Sequence, residues 1–278
     1  MSTRVDILGV LIDKVNLRQT EVKIGSFVSS GKPHQIVTVN MDFIRRSRVD
    51  PRFKELINSS SLVVPDGMPV LWAAKAVGDP LPQRITGLDL LHIGCRLAER
   101  GGHGIYLLGA EPGVAWQASK ILCRQYPDLR IAGTYSPPFG EFSDEENRKL
   151  IDLIACSDAK YLFVAFGCPK QDYWIRDHLL DLHVPVSVGV GGIFNYITGQ
   201  VKRAPGWVQS LGFEWLFRMA QQPQLAKRYL VNDLPVFLRA MSYGIAGARA
   251  ARAGHARGAN GIVLSSASLR RLSPGSDV

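Results

Sequence analysis

The sequence predicts an α/β protein: a Rossmann-like, mostly parallel sheet with flanking helices, followed by a basic helical C-terminal appendage. Three observations carry this expectation. Short runs of Val, Ile and Leu alternate with segments of helical periodicity, the pattern of successive β-α-β units. Several of those runs are apolar at every position, as strands covered on both faces must be. From Val201 onward eleven Lys or Arg stand against Glu214, Asp233 and Asp277, so most of the net charge of +9 lies in the last part of the chain.

Val5 to Ile12 reads as a first strand, and Leu17 to Ser29 as a helix closed by Gly31. Gln35 to Val39 is the next strand. Two helical pieces, Asp42 to Arg48 and Pro51 to Asn58, lead into Leu62 to Val64. Pro65 and Gly67 end that strand, and Pro69 suits the first turn of a helix over Val70 to Val77. After a polar loop, Leu88 to Arg100 reads as an amphipathic helix closed by Gly101-Gly102.

The alternation then restarts. Gly104 to Leu108 is a strand, Gly109 to Gly113 a turn, and a helix runs to about Tyr126 before a strand near Leu129 to Ala132. Ser143-Asp144-Glu145-Glu146 is a capping box for a helix to about Cys156. Tyr161 to Phe166 is a strongly apolar strand, Pro169 starts a helix to about His183, and Val184 to Val190 is the last strand. Beyond it lie the basic loop Lys202-Arg203-Ala204-Pro205, an aromatic-rich helix from Trp207 to Ala220, and a helix from Leu225 to Ile245 interrupted at Pro235. The expected organisation is a core over residues 1–200, an appendage over 201–246, and a disordered tail over 247–278, which is rich in Ala, Arg, Gly and Ser without periodicity.

Composition narrows the function. The four cysteines form no C-x-x-C pair, which speaks against a zinc ribbon and a disulfide framework and for a reducing cytoplasm. Neither a secretory leader nor a run of about 18 apolar residues is read. The basic end wants an anionic partner: a membrane surface, a lipid diphosphate or nucleic acid. Nucleic acid is disfavoured because the arginine-rich stretch after Gly247 has no aromatic residue to stack on bases. In the second C-terminal helix Lys227, Arg228 and Arg239 mix with Leu230, Leu234 and Leu238, which suits a membrane interface or docking on protein.

Several chemistries lack their motifs. No G-x-G-x-x-G follows a strand, and there is no P-loop, H-E-x-x-H, G-x-S-x-G or Asp-x-Asp. The chain does deliver one carboxylate, Asp66, to the carboxyl end of a strand, the edge at which open α/β sheets bind ligands. Locally, Asp66 reads equally as a helix cap or as a chemical group. The strand exits at Gly109, Gly167 and Gly191 suit a diphosphate, because amides at a helix start point at the ligand. Cys168 has no local His partner and is set aside as a nucleophile, and the six histidines show no ligand spacing.

Seven segments, in order, carry a resemblance. They are Thr38-Val39-Asn40-Met41-Asp42, Pro65-Asp66-Gly67, Arg84-Ile85-Thr86-Gly87-Leu88-Asp89, Pro169-Lys170-Gln171, Gly189 to Phe194, Lys202-Arg203-Ala204-Pro205, and Leu211 to Arg218. Together, from about Asp6 to about Arg239, the chain resembles the WecG/TagA/CpsF family of bacterial glycosyltransferases, glycosyltransferase family 26. The resemblance implies an inverting enzyme that needs no metal or other cofactor. It would move N-acetylmannosamine, its uronic acid or glucose from a UDP-sugar to a sugar on undecaprenyl diphosphate, in cell-surface or exopolysaccharide biosynthesis.

It implies Asp66 as general base, and Thr38, Asn40, Arg84 and Gln171 as polar residues of the donor and acceptor pocket. Arg84, Arg218 and Arg228 are the candidate cations for the diphosphate, and Thr86, Gly109, Gly191 and Asn195 complete the candidate site. Where the family often has Asp after Gly-Gly-x-Phe, this chain has Asn195, whose amide oxygen can still accept from a uracil N–H. The implied setting is the cytoplasm, peripheral on the inner face of the membrane, with a homo-oligomer plausible. A same-fold transferase with a soluble acceptor and an oligomerising tail is the alternative.

Overall fold

The computed structural model describes residues 3–137, 143–242 and 244. The tail over 247–278 lies outside them. The α/β expectation holds: six strands form one all-parallel sheet between two layers of helices. Strands β3 (His34–Val39) and β4 (Leu62–Pro65) lie at one side. Strands β5 (Gly104–Gly109) and β6 (Arg130–Tyr135) lie at the other, with β7 (Ala159–Ala165) and β8 (Val186–Gly189) between them. The order across the sheet is β4-β3-β8-β7-β5-β6. Pro185 has no N–H to donate, and β8 begins after it instead of at Val184.

The first expected strand is instead a hairpin outside this sheet, β1 (Arg4–Ile7) against antiparallel β2 (Val10–Asp13). The run folds back because Leu8 and Gly9 both take positive φ, 55° and 88°, while the Asp6 carboxylate accepts the Gly9 N–H at 2.6 Å. The hairpin is stitched to the edge of the large sheet. Asp13 Oδ2 accepts the Val63 N–H at 2.8 Å, Asp13 Oδ1 accepts from Arg4 Nε at 3.2 Å, and Asn58 both accepts from Leu11 and donates to Gly9.

Local chemistry sets the helices. Helix α1 (Leu17–Ser30) starts in an Asn16/Gln19 capping box and ends at Gly31 with φ 65°. Asn40 caps α2 (Met41–Ser47), and Asp50 with Pro51 opens α3 (Pro51–Ser59). After α4 (Met68–Ala76), the Thr86/Asp89 box opens α5 (Gly87–Gly101), and α6 (Val114–Gln125) follows β5. The Ser143/Glu146 box opens α7 (Asp144–Ala155) as read from sequence. Helix α8 (Lys170–Asp177) is shorter than expected, and His183 at φ 51° turns the chain back toward β8.

Strand residues alternate between the two layers. Ile105, Leu107, Tyr161, Phe163, Val186 and Val188 pack under α1, α5 and α6, joined by Phe194 of α9 (Ile193–Ile197). On the other face Leu162 and Val164 meet α7 and α8, while Val37, Val39 and Val63 meet α2, α3 and the hairpin. The crossovers leave the neighbouring strands β3 and β8 for opposite faces. The helices after β3 lie on one face and α9, after β8, on the other, which opens a crevice at the carboxyl edge between them.

The C-terminal helices differ from expectation in their breaks. The aromatic-rich helix is two pieces, α10 (Gly206–Ser210) and α11 (Glu214–Gln221), because Gly212 takes φ 79° against Trp72, where an added Cβ would lie 2.6 Å from the indole. Conversely, Pro235 does not interrupt the next segment. A run of wide π turns over Lys227–Asp233 precedes it, and residues 234–242 continue as helix, so the carbonyl that the proline ring would crowd is already displaced. Val236 and Ala240 bury against the hairpin layer, and Phe237 meets Trp72 with ring centroids 6.1 Å apart.

Asp13→Ala leaves the buried Val63 N–H without an acceptor and removes a partner of Arg4. The expected loss is about 2 kcal/mol, read as a lower urea midpoint at unchanged slope. A midpoint equal to wild type would show that the hairpin is not anchored through Asp13.

Candidate active site

The ends of β3 and β4 build one wall of a cavity. The Asp66 N–H extends the ladder by donating to Val39 O at 2.7 Å, and Gly67 then turns the chain at φ 100°, a conformation that favours glycine. Gly67, not Asp66, occupies the cap position of α4, and no side chain bonds that cap, so capping is not what Asp66 does. The Ile85 N–H donates to Pro65 O at 2.8 Å and brings the Arg84 loop alongside. Asp66, Asn40, Arg84 and Thr86 all line the cavity, with Ile193 and Tyr196 from α9.

The opposite wall comes from the C-terminal segments: Arg203, Glu214 and Arg218, then Arg228, Tyr229 and Asp233. Arg84 Nη1 donates to Glu214 Oε2 at 2.7 Å and Nη2 to Gln209 Oε1 at 3.1 Å, while Arg203 Nε lies 3.6 Å from Glu214 Oε1. Arg218 stacks over the Tyr196 ring at 5.6 Å, and its buried Nε has no hydrogen-bond partner. Arg228 Nε lies 3.5 Å from Asp233 Oδ2 and has no hydrogen bond of good geometry. Burial pushes the Asp233 carboxyl up to about 6, although Arg228 and Arg45 oppose this.

The Asp66 carboxyl makes no hydrogen bond to a described residue. Desolvation, reinforced by the Glu214 charge, pushes it up to about 6, against the pull of Arg84 and Arg218. It is therefore mostly ionised at neutral pH yet basic for a carboxylate, the balance a general base needs. Two other candidates have double duties. Asn40 Oδ1 accepts the Asp42 and Phe43 N–H groups as the cap of α2, which leaves its amide nitrogen for the cavity. Thr86 Oγ1 is engaged with Asp89 in the cap of α5.

The remaining candidates are not among the residues lining this cavity. Thr38 is buried on β3, one turn of the strand behind Asn40. Gln171 is also buried and acts between loops: its Oε1 accepts the Gly167 N–H at 3.1 Å and the Gly191 N–H at 2.9 Å, which ties the exits of β7 and β8 together. Its amide nitrogen lies where a Cβ on Gly189 would clash, at 2.6 Å. The neighbouring Asp172 is buried, which pushes its carboxyl up to about 8.

Gly109, Gly191 and Asn195 belong to a second stretch of the same edge, where the crossovers after β5 and β7 diverge. The Gly109 carbonyl accepts from Ser136 Oγ at 2.9 Å, and Asn195 Nδ2 donates to Glu111 Oε2 at 3.1 Å. Cys168 is half-buried, and burial raises its thiol, which keeps it out of the thiolate form. Among the described residues no group of three His, Cys, Asp or Glu is placed to hold a metal ion.

Sequence reasoning missed Glu214, Arg203 and Asp233 as cavity residues. Glu214 had a signal, since it stands four residues before Arg218 and one helical face presents both. Arg203 was read only as part of a basic loop, and nothing local marks Asp233.

The pattern of the Glycosyl transferase WecG/TagA/CpsF family matches residues 5–250. Among characterised proteins the chain is similar to the N-acetylglucosaminyldiphosphoundecaprenol N-acetyl-beta-D-mannosaminyltransferases of Staphylococcus aureus strain MW2 and strain NCTC 8325 / PS 47. Each is 30% identical over 239 residues, which cover 85% of this chain and 91% of the relative. Family match and near full-length similarity coincide with the arginine-rimmed carboxylate cavity, and the chain therefore belongs to the WecG/TagA/CpsF family of glycosyl transferases.

Proposed function

We propose that this chain is an inverting, metal-independent glycosyltransferase that moves a sugar from a UDP-sugar to a sugar carried on undecaprenyl diphosphate. The observation that carries the reading is the Asp66 carboxyl, without a hydrogen bond to any described residue and raised to about 6, in a cavity rimmed by Arg84, Arg218 and Arg228. In the proposed step, Asp66 takes the proton from the acceptor hydroxyl. The hydroxyl oxygen bonds to the anomeric carbon from the face opposite the diphosphate, and the carbon–oxygen bond to the phosphate breaks with its electron pair leaving on UDP. Charge then grows on the diphosphate, where Arg84, Arg203, Arg218 and Arg228 can meet it without a metal. The β7 and β8 exits, which Gln171 ties together at the carboxyl edge of the sheet, suit the nucleotide end of the donor. N-acetylmannosamine is the first donor sugar to test, because the relatives are named for its transfer to a lipid-linked N-acetylglucosamine.

A lipid-borne acceptor implies contact with a bilayer. No helix of the described residues is long and apolar enough to cross one. The C-terminal segments instead expose Trp207, Leu211, Phe213, Val231 and Leu238 at 46–68%. Lys202 and Lys227, both exposed, lie on the same segments, a combination that suits peripheral docking on anionic headgroups.

Three expected outcomes follow. Asp66→Asn retains UDP-sugar binding and lowers transfer by roughly 10²–10⁴-fold. In the wild type kcat/KM is flat above about pH 6 and falls tenfold per unit below it, because only ionised Asp66 accepts the proton. Near-normal turnover by the Asn variant, measured as UDP release with EDTA present, would remove Asp66 from the mechanism. Val231→Asp with Leu238→Asp abolishes flotation with anionic vesicles and weakens transfer to the lipid-linked acceptor, while UDP affinity is unchanged. Full activity of that double variant on vesicles would favour a soluble acceptor.

A further inference from the structure

Glu214 takes no proton and touches no reacting group in the chemistry proposed above, yet it holds that site's cations. Its two carboxylate oxygens take one arginine each, Arg84 on Oε2 at 2.7 Å and Arg203 on Oε1 at 3.6 Å. Those are the contacts that a phosphate oxygen pair would make, since a guanidinium fork binds carboxylate and phosphate in the same way. Glu214 and Arg84 are also both largely sheltered from solvent, with side chains 27% and 18% exposed, so their pairing is not a loose surface contact. A diphosphate that reaches Arg84 must therefore compete with this carboxylate or be repelled by it.

We infer that Glu214 is an internal stand-in for the donor's diphosphate, holding Arg84 and Arg203 until the diphosphate takes them over and reclaiming them to drive UDP out. The inference deepens the proposed reading of the site and rests on a UDP-linked donor. It makes Glu214 an affinity-setting residue. The exchange replaces one anion on Arg84 by another, so the site never leaves this arginine unpaired in a desolvated wall. It also explains why an acidic residue stands at the start of α11 only one helical turn from Arg218, inside a site that binds an anion.

An ordinary structural role makes the opposite prediction. If Glu214 only clips the C-terminal helices to the Arg84 loop, its loss loosens Arg218 and Arg228 and weakens nucleotide binding. The near-isosteric Glu214→Gln, in the full chain, separates the two. With UDP as the probe at pH 7.5 and low salt, Glu214→Gln binds about five- to tenfold tighter than wild type, and UDP inhibits transfer more strongly by the same factor. Glu214→Asp, which keeps the charge, stays close to wild type.

The pH profile is an independent readout. Asp66 faces Glu214 and Arg218 of α11, Arg84 and Asp89 around the start of α5, and Tyr196 of α9. Removing the one charge at Glu214 lowers the Asp66 pKa, so the acid limb of kcat/KM moves to lower pH. Equal or weaker UDP binding by Glu214→Gln, with a melting temperature like wild type and UDP bound by the wild type, overturns the stand-in. Failure of wild type to bind UDP at all overturns the donor reading instead.

Discussion

The ion pair between Arg84 and Glu214 is the contact through which the sheet and the C-terminal helices share one cavity. Arg84 is held beside the end of β4 by a backbone hydrogen bond from Ile85, so it belongs to the rigid part of the molecule. Glu214 opens α11, a helix that the strands do not hold. Both charges are largely sheltered from solvent, and their pairing crosses from one wall to the other. The core side offers Asp66 with only Arg84 near it, and the other side offers Arg203, Arg218 and Arg228 with Glu214 and Asp233. Desolvated charge is tolerated when paired, so the two walls need each other electrostatically before any ligand arrives.

Asp66 gains its character from that sharing. Burial is the largest influence on this carboxyl and raises it, Glu214 adds to the rise, and Arg84 and Arg218 pull the other way. The backbone prepares the same edge differently. Gln171 gives its one amide oxygen to two glycine amides, so the β7 and β8 exits are fixed relative to each other by a side chain that is itself buried. Gly189 must lack a Cβ for that side chain to fit, which couples a strand residue to loop geometry two residues later. The site thus combines a fixed backbone edge with a charge balance that spans the two walls.

Much of this was legible in the sequence. The capping box at Ser143, apolar runs and glycine exits are local signals, and every parallel strand overlaps the run they mark, although β6 continues three residues further, to Tyr135. The misses are of two kinds. Val5 to Ile12 has the apolar content of one strand, and only Asp6 and Gly9, three apart, reveal the turn inside it. The breaks at Gly212 and before Pro235 depend on Trp72 and on a local widening of the helix, neither visible in a pattern of apolar residues. Of the cavity's lining, Asp66, Arg84 and Arg218 were recognisable, whereas Gln171, expected in the pocket, is not part of that lining and ties two loops together. No local pattern states that a side chain will turn toward loop amides.

The C-terminal segments also decide how the proposed chemistry and the proposed membrane contact relate. Arg228, Tyr229 and Asp233 line the cavity, whereas Val231 and Leu238 of the same continuous stretch stay exposed. One stretch thus presents cavity-facing charge and solvent-facing apolar surface on different sides, and a force on either side is felt by the other through the backbone. Docking the apolar side would restrain the stretch that carries Arg228. In the proposed reading, the cations for the leaving diphosphate would then be best ordered where the lipid-linked acceptor is found. A core stripped of this stretch would keep Asp66 and Arg84 but lose most of the positive wall. Water would be as near to Asp66 as any sugar hydroxyl, so transfer and hydrolysis would no longer be separated by where the protein sits.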